Sequence, residues 1–441
     1  MADEYDYQLW IYQCQKIIRQ AQIKKKIRRK RIICALLCNE IVIQRSKKKY
    51  TPKKFWIHPL FKLRREHGFF EAVFPTLSSY SEKIENYIRM TAVQFEQLLY
   101  LVGPKISKQK VIREPISAPA RLAMTLRFLA TGDCMSSISY QYLVGLTTTA
   151  NIITETCEAL WSCLKEKVLP YPLNEADWLK ISIEFEKQWQ FPHCIGAIDG
   201  KHIHIQCPDN AGSSYYNYKN SHSIVLMAIC DANYLFTFID VGAYGRRSDG
   251  GIFRDSAMGR KFRNNEMNIP KPDLLTVDGL PQPYVLVGDE AFQLTNYLLR
   301  PYPGRSGLNM ERSIYNYRLS RARRTIENSF GIIVSLWRIL KKPIDATVEN
   351  TISIIQAIIC LHNWLRKHDE DDIYIPPNLV DQEGPNGIIP GSWRHEVNFS
   401  ALKDRPVQGN NFSSRSAIAV RDDFCEYFNA EGAVPWQYSR N

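Results

Sequence analysis

The chain contains no stretch of eighteen uninterrupted apolar residues, so nothing in it reads as a membrane span. Its first residues are acidic and polar before they turn basic, which is not the layout of a secretory signal. Eleven cysteines are present, but without a Cys-x-x-Cys pair or regular spacing, so neither a zinc ribbon nor a disulfide framework is indicated. His202, His204 and Cys207 lie close together, yet a structural zinc site needs about four ligands and no complementary cluster stands nearby. Most of the cysteines read as buried thiols of a reducing compartment. Internal repeats and low-complexity tracts are absent too. With these classes set aside, 441 residues of ordinary hydrophobic content (45%) suffice for two or three globular domains.

Charge is unevenly placed. Residues 1–70 hold 18 Lys/Arg and 5 Asp/Glu, which accounts for the whole net charge of +12 and leaves the remainder near neutral. The densest part is Lys24, Lys25, Lys26, Arg28, Arg29, Lys30 and Arg31, a run without Gly or Pro and therefore helical. Lys47-Lys48-Lys49 and Lys53-Lys54 extend it toward Pro52 and Pro59. Such a block reads as a nucleic-acid arm or nuclear import signal; the plainer alternative is a solvated basic helix.

Beyond residues 1–54, taken as the basic arm, residues 55–166 read as helical. Thr91 caps a helix through Phe95, Leu98, Leu99 and Val102, and Pro119 opens another with Leu122, Leu126 and Leu129 inward. A short helix from Ser136 to Leu143, a turn at Val144-Gly145-Leu146 and a longer helix from Thr147 form a helix-turn-helix pattern, which any α-hairpin also shows. Residues 167–368 read as α/β. Strands are expected around Asp199, over 223–229 and 234–241, and over 284–287, with helices over 320–337 and 353–367 and irregular chain over 259–283 and 299–317. Residues 369–414 are rich in Asp, Pro, Gly, Asn and Ser and read as a linker, and residues 415–441 as a C-terminal helix and tail.

Chemistry concentrates on three acids. Asp199 interrupts the apolar run Cys194-Ile195-Gly196-Ala197-Ile198, and a charge in such a strand is costly unless something pairs with it. Asp289 ends the apolar run Tyr284-Val285-Leu286-Val287-Gly288, and Glu327 lies on a helix beside Ile326, Phe330 and Ile333. Carboxylates from separate elements suit Mg2+ or Mn2+, and two such ions suit phosphodiester chemistry. Other acids compete: Asp231 reads as a turn residue, Asp249 as a helix cap and Asp240 as a mid-strand acid. Arg321, Arg323 and Arg324 fall within two turns of Glu327, where they contact DNA phosphates or merely form surface pairs. Lys201 follows Asp199, and Lys219 belongs to an aromatic–basic cluster with Tyr215, Tyr216 and Tyr218; both are candidate DNA contacts.

At these residues the chain resembles the PIF/Harbinger-type DDE transposases and the nuclease-like proteins derived from them. The resemblance lies in Gly196-Ala197-Ile198-Asp199-Gly200-Lys201-His202, Ser248-Asp249-Gly250-Gly251-Ile252-Phe253, Val287-Gly288-Asp289-Glu290-Ala291-Phe292, Asn316-Tyr317-Arg318-Leu319-Ser320-Arg321-Ala322-Arg323 with Glu327-Asn328, and Leu361-His362-Asn363. It implies an RNase H-like mixed-sheet core flanked by helices, preceded by an all-α helix-turn-helix-like region. It further implies Asp199, Asp289 and Glu327 as the catalytic, metal-binding triad, with Mg2+ or Mn2+ as cofactor. Cutting and joining of double-stranded DNA in the nucleus is implied as well, by a homo-oligomer working with a Myb/SANT-like partner. Where the family pattern opens its recognition helix with a basic residue and serines, this chain has Leu146-Thr147-Thr148-Thr149-Ala150-Asn151. A domesticated chromatin protein that binds DNA without cutting it is the alternative.

Overall fold

A computed structural model describes residues 2–46, 54–109, 114–169, 172–208, 211–304, 307–369, 372–384, 387–396 and 413–440. Two units are compact in themselves, Met1–Pro59 and Leu60–Asn441. The first is one long helix, α1 (Ala2–Ser46), on which Lys24 to Arg31 are exposed. Lys47-Lys48-Lys49 and Lys53 lie outside the described residues.

The second unit begins with helices. Thr91 caps α2 (Ala92–Ile106) by a reciprocal pair of bonds with Gln94, as its sequence position predicts. Next come α3 (Ala118–Thr131), α4 (Met135–Tyr142), α5 (Leu146–Val168) and α6 (Glu175–Trp189), the last capped by Asn174 and Asp177. α4 and α5 form the helix-turn-helix outline. Leu146, Thr147 and Thr148 are exposed at the start of α5, while Thr149 is buried and bonds back to Val144 and Gly145.

A five-stranded mixed sheet follows: β1 (Cys194–His204), β2 (Ser223–Cys230), β3 (Phe236–Tyr244), β4 (Val285–Val287) and β5 (Leu298–Leu299). The order across it is β3-β2-β1-β4-β5. β1 pairs antiparallel with β2 and parallel with β4. Alternate residues of the buried β2 serve different cores. Leu226 and Ala228 pack toward α8 (Met310–Leu336) and α9 (Val348–Lys367); Val225, Met227 and Ile229 pack with Trp178, Phe262 and Phe253 of the short α7 (Asp249–Asp255). Both faces are therefore covered, while β1 itself is only part-buried from Asp199 to His202.

Two differences from the sequence reading bear on function. α8 starts at Met310, ten residues before the expected position. Asn309 caps it by accepting a bond from the Arg312 N–H at 3.0 Å, and its first turns bury Ile314, Tyr315, Arg318 and Leu319. Residues 372–396, expected to be linker, pack against α8: Trp393 is 4% exposed and the Asp381 side chain is fully enclosed. Their polar composition concealed buried ion pairs; residues 397–412 lie outside the described residues.

Asn363 of α9 fastens the helical region to the sheet. Its amide donates to Val168 O (3.0 Å) and Phe236 O (2.7 Å), and its carbonyl accepts from Phe236 N (2.9 Å). Asn363→Ala leaves those buried backbone groups without partners and should lower stability by about 3 kcal/mol. Urea unfolding measures this, and a loss under about 0.5 kcal/mol contradicts the assignment.

Candidate active site

Strand parity puts Asp199 and Lys201 on the face shared with Ala197 and Ile203, the face covered by α8. Ala197 pairs with Val287 in the parallel β1/β4 ladder, so Asp289, two residues further on, comes alongside Asp199. Asp289 leaves β4 through Gly288, and one of its carboxylate oxygens accepts from Ala291 N at 2.9 Å. Glu327 comes from α8 above the same face. The predicted acids are thus brought to one region from three elements.

Asp249, a competing acid that the sequence reads as a helix cap, joins them. It is the first residue of a short helix, Asp249–Asp255, and its carboxylate rests against Gly200; a methyl group at Gly200 would lie 2.1 Å from Asp249 Oδ1. Only glycine leaves room for that approach. The visible signal was glycine immediately after the strand acid, which becomes meaningful only once Asp249 is in place.

Burial pushes the Asp199 carboxyl well above the usual carboxylate range, and Asp289, Asp249 and Glu327 push it further, with Arg323 opposing. Asp199 Oδ1 accepts a bond from Gly200 N at 2.8 Å. Lys201 is held down to about 8 by burial and by Lys219, with Asp199 pulling the other way. Burial, then Lys219, His204 and Lys201, depress His202 to about 4, and its Nδ1 lies 2.8 Å from Ser223 Oγ. The Lys219 ammonium sits over the Tyr218 ring at 5.3 Å.

Glu327 is engaged on both oxygens. Arg323 Nη2 lies 3.7 Å from Oε1, and Arg394 Nη2 lies 3.2 Å from Oε2. Among the described residues no three acid, histidine or cysteine side chains are gathered closely enough to hold a metal ion. The donors still fit one. They are hard carboxylate oxygens, and Asp199 is a part-buried acid among like charges, an arrangement a cation relieves.

Two of the arginines expected at DNA are used elsewhere. Arg321 is buried, bonded to Glu383, Gln190 and the Trp189 carbonyl, and Arg324 is buried 3.6 Å from Glu383. The cause is the hairpin of Gln382–Gly384 and Gly387–Ile389, which brings Glu383 onto that side of α8. Arg323 is part-exposed beside Glu327. Lys24 to Arg31 are exposed on α1.

A part-buried acid pair at the centre of a mixed sheet, with a third acid on a covering helix, makes this an acid-centred α/β protein. Residues 198–363 match the model of the DDE superfamily endonuclease family. HARBI1 of Rattus norvegicus, named as a candidate nuclease, is 23% identical over 297 residues, covering 66% of this chain and 79% of the rat protein. Protein ALP1-like of Arabidopsis thaliana is 25% identical, covering 65% of this chain and 66% of that one. The Arabidopsis protein named antagonist of like heterochromatin protein 1 is 25% identical over 56% of this chain and 62% of its own length. No solved structure matches the chain significantly. Among the described residues no helix is long and apolar enough to cross a membrane.

Asp199→Asn should stabilise the protein in EDTA at neutral pH, because it removes a part-buried charge crowded by others. The melting temperature should rise by about 2 °C or more. Sign follows from the raised carboxyl. Between about pH 4 and its folded-state value the native protein binds more protons than the unfolded chain, so wild-type stability falls as pH rises. The gain should therefore grow with pH and vanish below about pH 4. Melting curves at several pH values check this; an equal or lower melting temperature at pH 7 contradicts it.

Proposed function

We propose that this protein is a divalent-metal-dependent DNA endonuclease, able to join as well as cut phosphodiester bonds, acting through Asp199, Asp289 and Glu327. The observation that carries the reading is the β1/β4 register, which sets Asp289 beside Asp199 under the helix bearing Glu327. The sheet order, with antiparallel partners on one side of β1 and parallel partners on the other, suits an RNase H-like core. The family match over 198–363 supports the same reading.

Asp199, Asp289 and Glu327 would hold Mg2+ or Mn2+, which when bound activates a water or hydroxyl nucleophile and neutralises charge on the phosphate oxygens. The chain supplies the rest. Asp199 presents its carboxylate from a rigid central strand, so the reacting phosphate meets a fixed acid. Lys201, two residues along on the same face, and Lys219 meet the backbone of the bound strand, and a phosphate beside Lys201 would favour its charged form. The exposed basic run of α1 attracts the duplex without reading its sequence. Nuclear location, oligomerisation on DNA and a Myb/SANT-like partner belong to the same reading.

A second reading has its own observation. Both oxygens of Glu327 already meet arginines, which suits a chromatin protein that binds DNA without cutting it.

Nicking of supercoiled plasmid in Mg2+ or Mn2+ separates the two. Asp199→Asn, Asp289→Asn and Glu327→Gln should each lower the rate by about a thousandfold. Variants that nick as well as the parent refute the triad. A wild-type chain that binds duplex but never nicks it makes the second reading correct. Removing residues 1–54 should flatten the log–log dependence of DNA binding on salt by about 0.9 for each phosphate that α1 neutralises. An unchanged slope means that α1 does not touch the duplex.

A further inference from the structure

The segment after α9 reaches back to Glu327. Asp381, fully enclosed, accepts two bonds from Arg394 Nε at 2.8 and 3.0 Å and one from Gly391 N at 2.9 Å. Its backbone N–H donates to Asn328 Oδ1 at 3.3 Å, and Trp393 Nε1 donates to the same oxygen at 2.9 Å. The Trp393 ring lies on Gly331, where a methyl group would come within 2.3 Å of it. Residues 327, 328 and 331 form one face of α8, so the segment docks directly over the third acid. Arg394 stacks on its own neighbour Trp393 at 4.4 Å, and its Nη2, which also donates to Asp381 Oδ2 at 2.5 Å, reaches Glu327 Oε2 at 3.2 Å.

The guanidinium is thus anchored by a buried acid and aimed at an acid that is only part-buried. An anchored cation is a fixed competitor for any other cation Glu327 takes. Arg323 also touches Glu327, but it acts on Asp199 as well, so its removal would disturb two acids at once. Arg394 isolates the effect.

We infer that Arg394 is a positioning residue that holds the Glu327 carboxylate away from the metal site until a divalent cation displaces it. The inference rests on the reading of Glu327 as a metal ligand. On this inference, whatever lifts residues 372–384 and 387–396 from α8 would release Glu327.

The test is Mn2+ binding to the full chain by titration calorimetry, with melting curves as the control for folding. Wild type should bind Mn2+, and Asp199→Asn should abolish that binding. Arg394→Gln should tighten binding by about fivefold, the worth of one such ion pair. Arg394→Gln leaves Asp381 buried without its partner, so Arg394→Gln/Asp381→Asn is measured beside it and should tighten equally. Gly331→Ala lifts Trp393 without changing any charge and should also tighten binding. Arg394→Lys retains a cation and should stay near wild type. If the folded variants bind Mn2+ no more tightly than wild type while Asp199→Asn still loses it, the latch is wrong and the metal reading stands. If wild type does not bind Mn2+, or binds it independently of Asp199, both are wrong.

Discussion

The constraint that organises this structure is a carboxylate that does not belong where it is. Asp199 faces the covering helix from the middle of the central strand, with Asp289 and Asp249 close enough to raise its affinity for protons. A charge in that position opposes folding. It persists because the surroundings leave it no alternative. β2 beside it is buried throughout, both sheet faces are packed, and Asn363 ties the covering helices to the sheet by three bonds. The stability of the scaffold is what lets an unfavourable site exist.

The positive charges divide into two populations with different physics. Arg318, Arg321 and Arg324 are buried and engaged with carbonyls, Glu383 and aromatic rings, so they hold α8 to its neighbours. The lysines and arginines of α1 are solvated and address long-range attraction to a polyanion. Arg323 and Arg394 stand between these groups, part-buried and touching the third acid. The net charge of +12 therefore says little about the site, which is governed by a few cations placed against acids.

The sequence made the regular parts legible and the irregular contacts obscure. Apolar runs located β1 to β3, and Thr91 and Pro119 opened their helices as expected. Asp199 and Asp289 stood out because each interrupts or ends an apolar run; Glu327 rested more heavily on resemblance, since an acid four residues after an arginine is ordinary on any helix. The early start of α8 was hidden because its first turns bury Tyr315 and Arg318 as well as Ile314 and Leu319, so the aliphatic stripe is sparse there. Residues 372–396 were misread for a related reason. Asp381 and Arg394 count as polar in composition, yet paired with each other they pack down beside the buried Trp393. Long-range ion pairs leave no periodicity to find. Asp249 illustrates the same limit, since its role depends on a glycine about fifty residues away.

The Glu327 neighbourhood also bears on which of the two functional readings the fold favours. A protein that only needs to bind DNA gains nothing from Asp199, since an asparagine of the same shape would remove the repulsion and keep the bond to Gly200 N. Asp289 and Asp249 add to that cost, and the arginines on Glu327 relieve Asp199 only in part, because Arg323 alone of them acts on it strongly. The acids are therefore under-neutralised by the chain itself. On the nuclease reading, the opposite charge is a cation beside Asp199 and Asp289, where the repulsion is greatest. Glu327, already met by Arg323 and Arg394, would then be the last of the three acids to reach it.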